Sequence, residues 1–375
     1  MKILMTSHYT LPHQGGIEII IEKLSSSLAA QGHEIRVVAS KYGMIAPEKI
    51  RNREIISINA FDPLRNAGVH YPIFSPAIIP NIYRAVHWAD IIHAQGMLYQ
   101  NSLLALWLAK LMNKPALLTE HAGFVQYRYP FFNSIQRIAV DTLGKASLSL
   151  SKSVIVPDTI VREILVNDLH ISDEKIVQIS LGVDTEVFHP ISAREKRKLR
   201  RELHWNNRPK VLFIGNFVPR KRIPLLLEAI SDKFDIVLCG EGERPISLPE
   251  RVYVYPAMGH EKIVKLYQAA DIFVIPSSVE TFSIVAYEAM ACGLPVVMTE
   301  DLAHLTVAKS KLAKITSPNS AALQEQIHTL INDPGEIERI GIASSDWVKK
   351  NFSWINSVMQ HVHLYEKVFA SHSLL

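Results

Sequence analysis

Cysteine is nearly absent: Cys239 and Cys292 are the only two in 375 residues. Two thiols cannot build a disulfide scaffold. Each lies in an apolar stretch beside a glycine, Gly240 or Gly293, which suits a buried thiol in a reducing compartment. An excess of one charge is missing too. Forty Lys and Arg against 36 Asp and Glu leave a formal net charge of +4. That argues against nucleic acid as a partner, although a local basic patch could still meet phosphates or an anionic membrane. Long hydrophobic runs are lacking: the most apolar helical stretch, residues 103–111, is broken by Lys110 and is too short to span a bilayer. Residues 1–7 read as a strand rather than a signal peptide. The expectation is a soluble or peripheral, cytoplasmic protein, with the inner face of a membrane as its alternative address. The 16 histidines are scattered, and neither H-E-x-x-H nor C-x-x-C occurs, so no metal and no cofactor are expected. G-x-S-x-G and the P-loop pattern are also absent, which removes the local signatures of serine hydrolysis and P-loop chemistry.

What is present is a globular balance, 48% hydrophobic and 20% charged, over a length that suits two domains. Residues 2–6 form an apolar strand, followed by a loop with Pro12 and Gly15-Gly16. Ile17, Ile20, Ile21, Leu24 and Leu28 then recur at helical spacing, Gly32 stops the helix, and residues 34–39 read as the next strand. This is a βαβ unit, and it favours a parallel sheet. Further strands are expected near residues 90–93, 116–119, 154–156 and 176–179, with a helix at 102–112. A second series starts at Lys210: strands at 211–214, 235–238, 272–275 and 296–298, helices at 225–230, 260–269 and 284–291. Residues 194–202 carry six basic and two acidic residues, read as a solvated helix or, more sharply, as a phosphate or membrane contact. Residues 354–369 form a separate amphipathic helix. In open α/β sheets ligands bind beyond the carboxyl ends of strands, so the chemistry belongs in the loops that follow them.

The most informative loop and helix run from Pro276 to Pro295. Glu280 follows a strand, and Glu288 lies about one turn inside the next helix among apolar neighbours. A carboxylate there is costly unless paired or hydrogen-bonded. A ribose diol would satisfy it, and a structural ion pair is the alternative. The helix start near Ser283 offers free N–H groups to a diphosphate. Gly240-Glu241-Gly242-Glu243-Arg244-Pro245 lacks the third glycine of a dinucleotide fingerprint.

Two glutamates separated by seven residues and followed by Ala-Met-Ala-Cys-Gly-Leu-Pro-Val-Val resemble the donor-site signature of glycosyltransferase family 4. Three further segments are similar to the same family: Gly15-Gly16-Ile17-Glu18 with Gly32-His33-Glu34-Ile35, Gly182-Val183-Asp184 with Phe188 and Pro190, and the basic loop from Gly215 to Lys221. The resemblance implies an α/β fold of two Rossmann-like domains (GT-B) facing each other across a cleft. Residues 1–181 would form the acceptor domain, 182–353 the donor domain, and 354–375 a helix crossing back to the first. It implies a retaining enzyme that moves a sugar from a nucleotide-diphosphate sugar, UDP-linked before GDP-linked, to a glycan or lipid-linked hydroxyl in cell-surface polysaccharide or glycolipid synthesis. Metal would not be needed.

Carried over, Glu280 contacts the donor sugar and Glu288 the ribose. The amides of Ser283 and Ile284, within the segment that includes Phe282, meet the diphosphate. Arg220 and Lys221, beside Asn216, neutralise the leaving phosphate. Gly16 allows backbone approach, and His121 lies near the donor sugar. The 240–245 loop would border the nucleotide. Many members have arginine at the position of Asn216 and glycines at those of Thr281 and Ser283. The aromatic segment 121–132 would line the acceptor side or simply pack in the core. A phosphorylase or sugar-nucleotide epimerase of the same architecture, and a non-catalytic sugar-binding protein, are the rival readings.

Overall fold

The computed structural model describes residues 1–10, 16–41, 49–64, 71–124, 130–242, 248–280 and 282–373. The chain divides into two compact units, Met1–Ser180 with Ser357–Leu375, and Leu181–Asn356.

The first unit is built on an eight-stranded sheet. Its strands run in the order Ile176–Gln178, Ser153–Val156, Ala116–Thr119, Ile91–Gln95, Lys2–Thr6, Glu34–Ser40, Arg53–Ile58 and Lys49–Ile50. All pairings are parallel except the last. Every residue of Ile91–Gln95 and Ala116–Thr119 is buried, as parallel strands covered on both faces must be. Helices Ile78–Trp88 and Gln100–Leu111 pack Ile82, Val86, Ala105 and Leu106 into that core. The order reverses between Lys2–Thr6 and Ile91–Gln95, so the loops after these strands open at the topological switch point.

The second unit has six parallel strands: Val252–Tyr255, Asp235–Cys239, Lys210–Ile214, Ile272–Ile275, Val296–Thr299 and Lys314–Thr316. Its switch point falls between Lys210–Ile214 and Ile272–Ile275. Helices Ser320–Ile331 and Pro334–Asn351 complete the unit, the first capped by the Asn319 side chain and the second by Asp333. Asp235 and Lys210, both fully buried, form an ion pair of 3.1 Å at the start of their strands.

Helix Trp354–Ser373 begins in the second unit and continues in the first. Its start is fixed by backbone bonds from Val183 N to Phe352 O (2.7 Å) and from Trp354 N to Val183 O (2.9 Å). A Cβ on Gly182 would come within 2.4 Å of Trp354 Cα, so only glycine fits there. Further along, Leu364, Tyr365 and Val368 are buried in the first unit, and Ser357 Oγ donates to Ser180 O at 3.0 Å.

Helix Ala193–Glu202 has a capping box made by Ser192 and Glu195. Lys196 (2.9 Å) and Arg200 both pair with Asp271, and Arg200 Nε donates to Ala269 O. Two of the six cations in this run therefore anchor the helix; Arg194, Arg197, Lys198 and Arg201 remain exposed.

Candidate active site

The two loops at the second unit's switch point carry most of the residues singled out in the sequence. Strand Lys210–Ile214 ends at Gly215, and Pro219 then starts a single 3-10 turn, Pro219–Lys221. The neighbouring loop, after Ile272–Ile275, is tied to this turn by Ser278 N, which donates to Arg220 O at 2.9 Å. The tie brings Glu280 against Lys221, whose ammonium bonds Oε1 directly, while Arg220 reaches Oε2 at 3.8 Å. Lys221 and Glu280 are nearly buried, with side chains 11% and 10% exposed, and Arg220 is 55% exposed. Two cations converge on one carboxylate, so the cluster keeps a net positive charge. Asn216 is exposed beside them.

Glycines 240 and 242 serve this arrangement by letting two loops touch. A Cβ on Gly240 would sit 2.0 Å from Gly215 O, and Phe217 pairs with Gly242 across the contact. Residues 243–245 of that loop, and Thr281, lie outside the described residues.

Helix Ile284–Ala291 begins at Ser283, which adopts a left-handed backbone (φ 56°, ψ 62°). Its hydroxyl makes no capping bond, and its Oγ is buried without a partner. The first amides of the helix, Ile284 among them, have no intrahelical acceptor and form its positive end. Phe282 is buried and stacks on Tyr287 at 4.6 Å and 17°. Glu288 is only 5% exposed. Tyr267 donates its hydroxyl to Glu288 Oε2 at 2.8 Å, so the carboxylate has a phenol partner. Burial first, and then Glu288 itself, push the Tyr267 hydroxyl well above its usual range and keep it a donor. Cys239 and Cys292 are free and buried; burial pushes the first up to about 11 and the second well up.

Gly16 and His121 belong to the first unit. Gly16 opens helix Gly16–Ala30, and His121 follows strand Ala116–Thr119. A cavity of about 140 Å³ at the switch point is lined by Ile17, Gly96, Tyr99, Glu120, His121 and Gly123, among others. Glu120 braces its walls by accepting backbone N–H groups from Met97 (2.9 Å), His121 (3.1 Å), Ala122 and Gly123 (both 3.2 Å). Burial raises its carboxyl pKa although these bonds pull the other way. His121 donates from Nε2 to Gln95 Oε1 (2.8 Å), and burial pushes its pKa down to about 4. Tyr99 stacks on His8 at 4.1 Å, nearly parallel.

Of the aromatic segment, residues 125–129 lie outside the described residues. Helix Pro130–Ala139 buries none of its residues and Phe131 is 69% exposed, which removes core packing as the explanation for Phe131. Gln95, Glu120 and Tyr267 were not foreseen. His93 and Gln95 alternate on one face of a buried strand, and that polar pair inside an apolar run was the available signal.

Among the described residues, no cluster of three His, Cys, Asp or Glu could hold a metal, and no helix is long and apolar enough to cross a membrane.

Two Rossmann-like units with parallel sheets define the GT-B class. The family model "Glycosyltransferase Family 4" matches residues 14–187, and "Glycosyl transferases group 1" matches residues 195–347. The chain belongs to glycosyltransferase family 4 and is a glycosyltransferase. It is 25% identical to a D-inositol 3-phosphate glycosyltransferase of Corynebacterium glutamicum, over 100% of this chain and 98% of that one. An MMP alpha-(1->4)-mannosyltransferase of Mycolicibacterium hassiacum is 23% identical over 99% of both chains. Among solved structures, sucrose-phosphate synthase from Thermosynechococcus elongatus superposes with a TM-score of 0.77 at 23% identity, covering 99% of each chain. Anabaena HepE in complex with UDP-glucose gives 0.75 at 17% identity, covering 98% of this chain and 100% of that one.

Proposed function

We propose that the chain is a retaining glycosyltransferase that takes a sugar from a nucleotide-diphosphate donor, UDP-linked before GDP-linked, and places it on a hydroxyl of a glycan or lipid-linked acceptor in cell-surface polysaccharide or glycolipid synthesis. The carrying observation is the cluster of Lys221, Arg220 and Glu280 at the switch point of the unit that also holds Glu288. The UDP-glucose complex of Anabaena HepE supports the choice of donor class.

In this reading the bond from the anomeric carbon to the leaving phosphate oxygen breaks, and the acceptor hydroxyl oxygen bonds to that carbon. The acceptor's proton passes to the departing phosphate. Negative charge grows on the phosphate, where Lys221, Arg220 and the amides of Ser283 and Ile284 stabilise it. An ammonium has three donors, so Lys221 can keep Glu280 and still bond a phosphate. Glu280 is held by two cations and is therefore better suited to orienting sugar hydroxyls than to attacking carbon. That favours same-face transfer over a covalent glycosyl–enzyme. Glu288 takes the ribose with Tyr267 holding one of its oxygens. No metal enters, because the cations and the helix start supply the positive charge. The first unit would receive the acceptor, and contact with a membrane surface is part of the proposal.

The test uses isotope-labelled UDP- and GDP-sugars with added acceptors. Label should move to acceptor, and Lys221→Ala should lower kcat about 100- to 1,000-fold. Epimerised donor, or release of sugar phosphate with inorganic phosphate, would point to the epimerase or phosphorylase alternatives. Unchanged transfer in both Lys221→Ala and Glu280→Ala would overturn the site.

A further inference from the structure

Behind the first unit's cavity runs a continuous chain of polar side chains buried in the sheet. His121 Nε2 meets Gln95 Oε1 at 2.8 Å. Gln95 Nε2 meets His93 Nε2 at 3.1 Å, and the Thr119 hydroxyl reaches the same nitrogen at 2.6 Å. His93 Nδ1 meets Tyr365 Oη, from the last helix, at 2.7 Å. All four residues of the chain behind His121 are buried: Gln95 is 2% exposed, His93 and Tyr365 fully buried, and Thr119 5%.

The chemistry of a carboxamide makes this chain directional. Gln95 has one accepting end and one donating end. Its oxygen faces His121 Nε2, so that nitrogen carries the proton. Its amide faces His93 Nε2, so that nitrogen offers a lone pair and His93 Nδ1–H donates to Tyr365. A neutral imidazole protonated at Nε2 has a bare Nδ1. In this structure His121 Nδ1 is buried and has no hydrogen-bond partner. A buried acceptor left unpaired is destabilising. His121 is part of the cavity wall, and a hydroxyl that reached Nδ1 from the cavity would complete that acceptor. With its pKa pushed down to about 4 by burial, the ring is neutral near pH 7 and too weak a base to abstract a hydroxyl proton. The group recognises a hydroxyl by accepting its hydrogen bond.

We propose that Gln95 is a positioning residue that fixes His121 in the Nε2–H tautomer, so that Nδ1 accepts a hydrogen bond from a sugar hydroxyl bound in the first unit's cavity. This rests on the sugar-transfer reading above. Tyr365 and Thr119 complete the relay by fixing His93, which fixes the Gln95 amide.

The test is the ring-proton to nitrogen correlation spectrum of the ¹⁵N-histidine-labelled, full-length protein, with His121 assigned by His121→Gln. The expected result is an Nε2–H tautomer for His121, with its Nδ1 signal moving when donor and acceptor analogue are added. Gln95→Leu should mix the tautomers and lower kcat/KM about tenfold, the scale of one hydrogen bond. Tyr365→Phe, which still leaves Gln95 in place, should perturb His93 more than His121. An Nδ1–H tautomer in the wild-type protein would mean that the carboxamide points the other way and would overturn the proposal. So would a tautomer and a kcat/KM both indifferent to Gln95→Leu. The wild-type spectrum decides even where Gln95→Leu does not fold. If the wild-type protein transfers no sugar, the sugar-transfer reading fails instead, and the spectrum reports that separately from the tautomer.

Discussion

Ser283 stands at the start of the helix that carries Glu288 with a left-handed backbone, a conformation that strains a residue with a Cβ by about 1–2 kcal/mol. It is also the position where many family members have glycine. The departure noticed in the sequence thus has a physical side: the fold keeps the glycine-type backbone and pays for the side chain. The hydroxyl offsets none of this strain, since its Oγ is buried and has no hydrogen-bond partner. Ser283→Gly should relieve the strain, less the extra chain entropy of glycine. A stabilisation of up to about 1 kcal/mol is expected, a rise in Tm of about 2–4 °C for a unit of this size. A lower Tm would show that the serine side chain has a stabilising partner. By the family resemblance this position lies beside the donor sugar, so the same variant should leave nucleotide affinity intact while changing the ranking of donor sugars. Thermal melts with and without UDP and GDP sugars separate the two effects.

At the scale of elements, the buried strands were legible because parallel strands covered on both faces are short apolar runs: 272–275 and 116–119 were read to the residue. The edge strands of the second sheet were not. Val252–Tyr255 is half-buried along its length, and Lys314–Thr316 is three residues long, so neither shows a run. Helix Pro130–Ala139 was hidden for the opposite reason, since it has no core face. Phe131, Ile135 and Ile138 follow one another at helical spacing and are 69%, 45% and 66% exposed. Helices Ser320–Ile331 and Pro334–Asn351 carry legible start signals, the Asn319 cap and Pro334 in the first turn. The pair of Lys221 and Glu280 joins residues 59 apart, a contact that neither loop announces alone. The two surface helices bear on membrane contact. Lys196 and Arg200 are spent on Asp271, so helix Ala193–Glu202 offers four exposed cations, each worth about 1 kcal/mol near an anionic surface. The apolar stripe of Pro130–Ala139 offers insertion. Flotation with anionic liposomes should therefore succeed at low salt and weaken with both Ile138→Glu and Arg197→Glu. Failure to co-float at low salt would remove membrane contact from the proposed function.

For the whole molecule, the buried histidines of the first unit predict how stability varies with pH. His121 and His361 are pushed down to about 4, and His93 well below its usual value, in each case chiefly by burial. His93 faces both His361 and His121, and those like charges lower it further. His361 Nδ1 is at 2.8 Å from Ser357 O, a bond that the neutral ring makes as donor and that favours proton retention without overcoming burial. A histidine whose folded pKa lies below its unfolded value, near 6.5, binds its proton first in the unfolded chain. Its contribution is present above the unfolded pKa and is lost as pH falls from about 6.5 towards about 4. Each such group steepens the fall by up to about 1.4 kcal/mol per pH unit within that window. Glu120 acts in the other direction, since burial raises its folded pKa and protonation stabilises the folded form as pH falls. Three histidines against one carboxyl leave a net loss. Urea unfolding between pH 7.5 and 4.5 should show a midpoint that is flat above pH 7 and then declines, with net uptake of more than one proton. His361→Gln should flatten the decline because a glutamine can keep a donor toward Ser357 O without titrating. A midpoint independent of pH across that window would mean that the relay behind the cavity is open to water in solution. His121 would then titrate near its usual value, and the buried neutral ring on which its hydroxyl recognition depends would not exist.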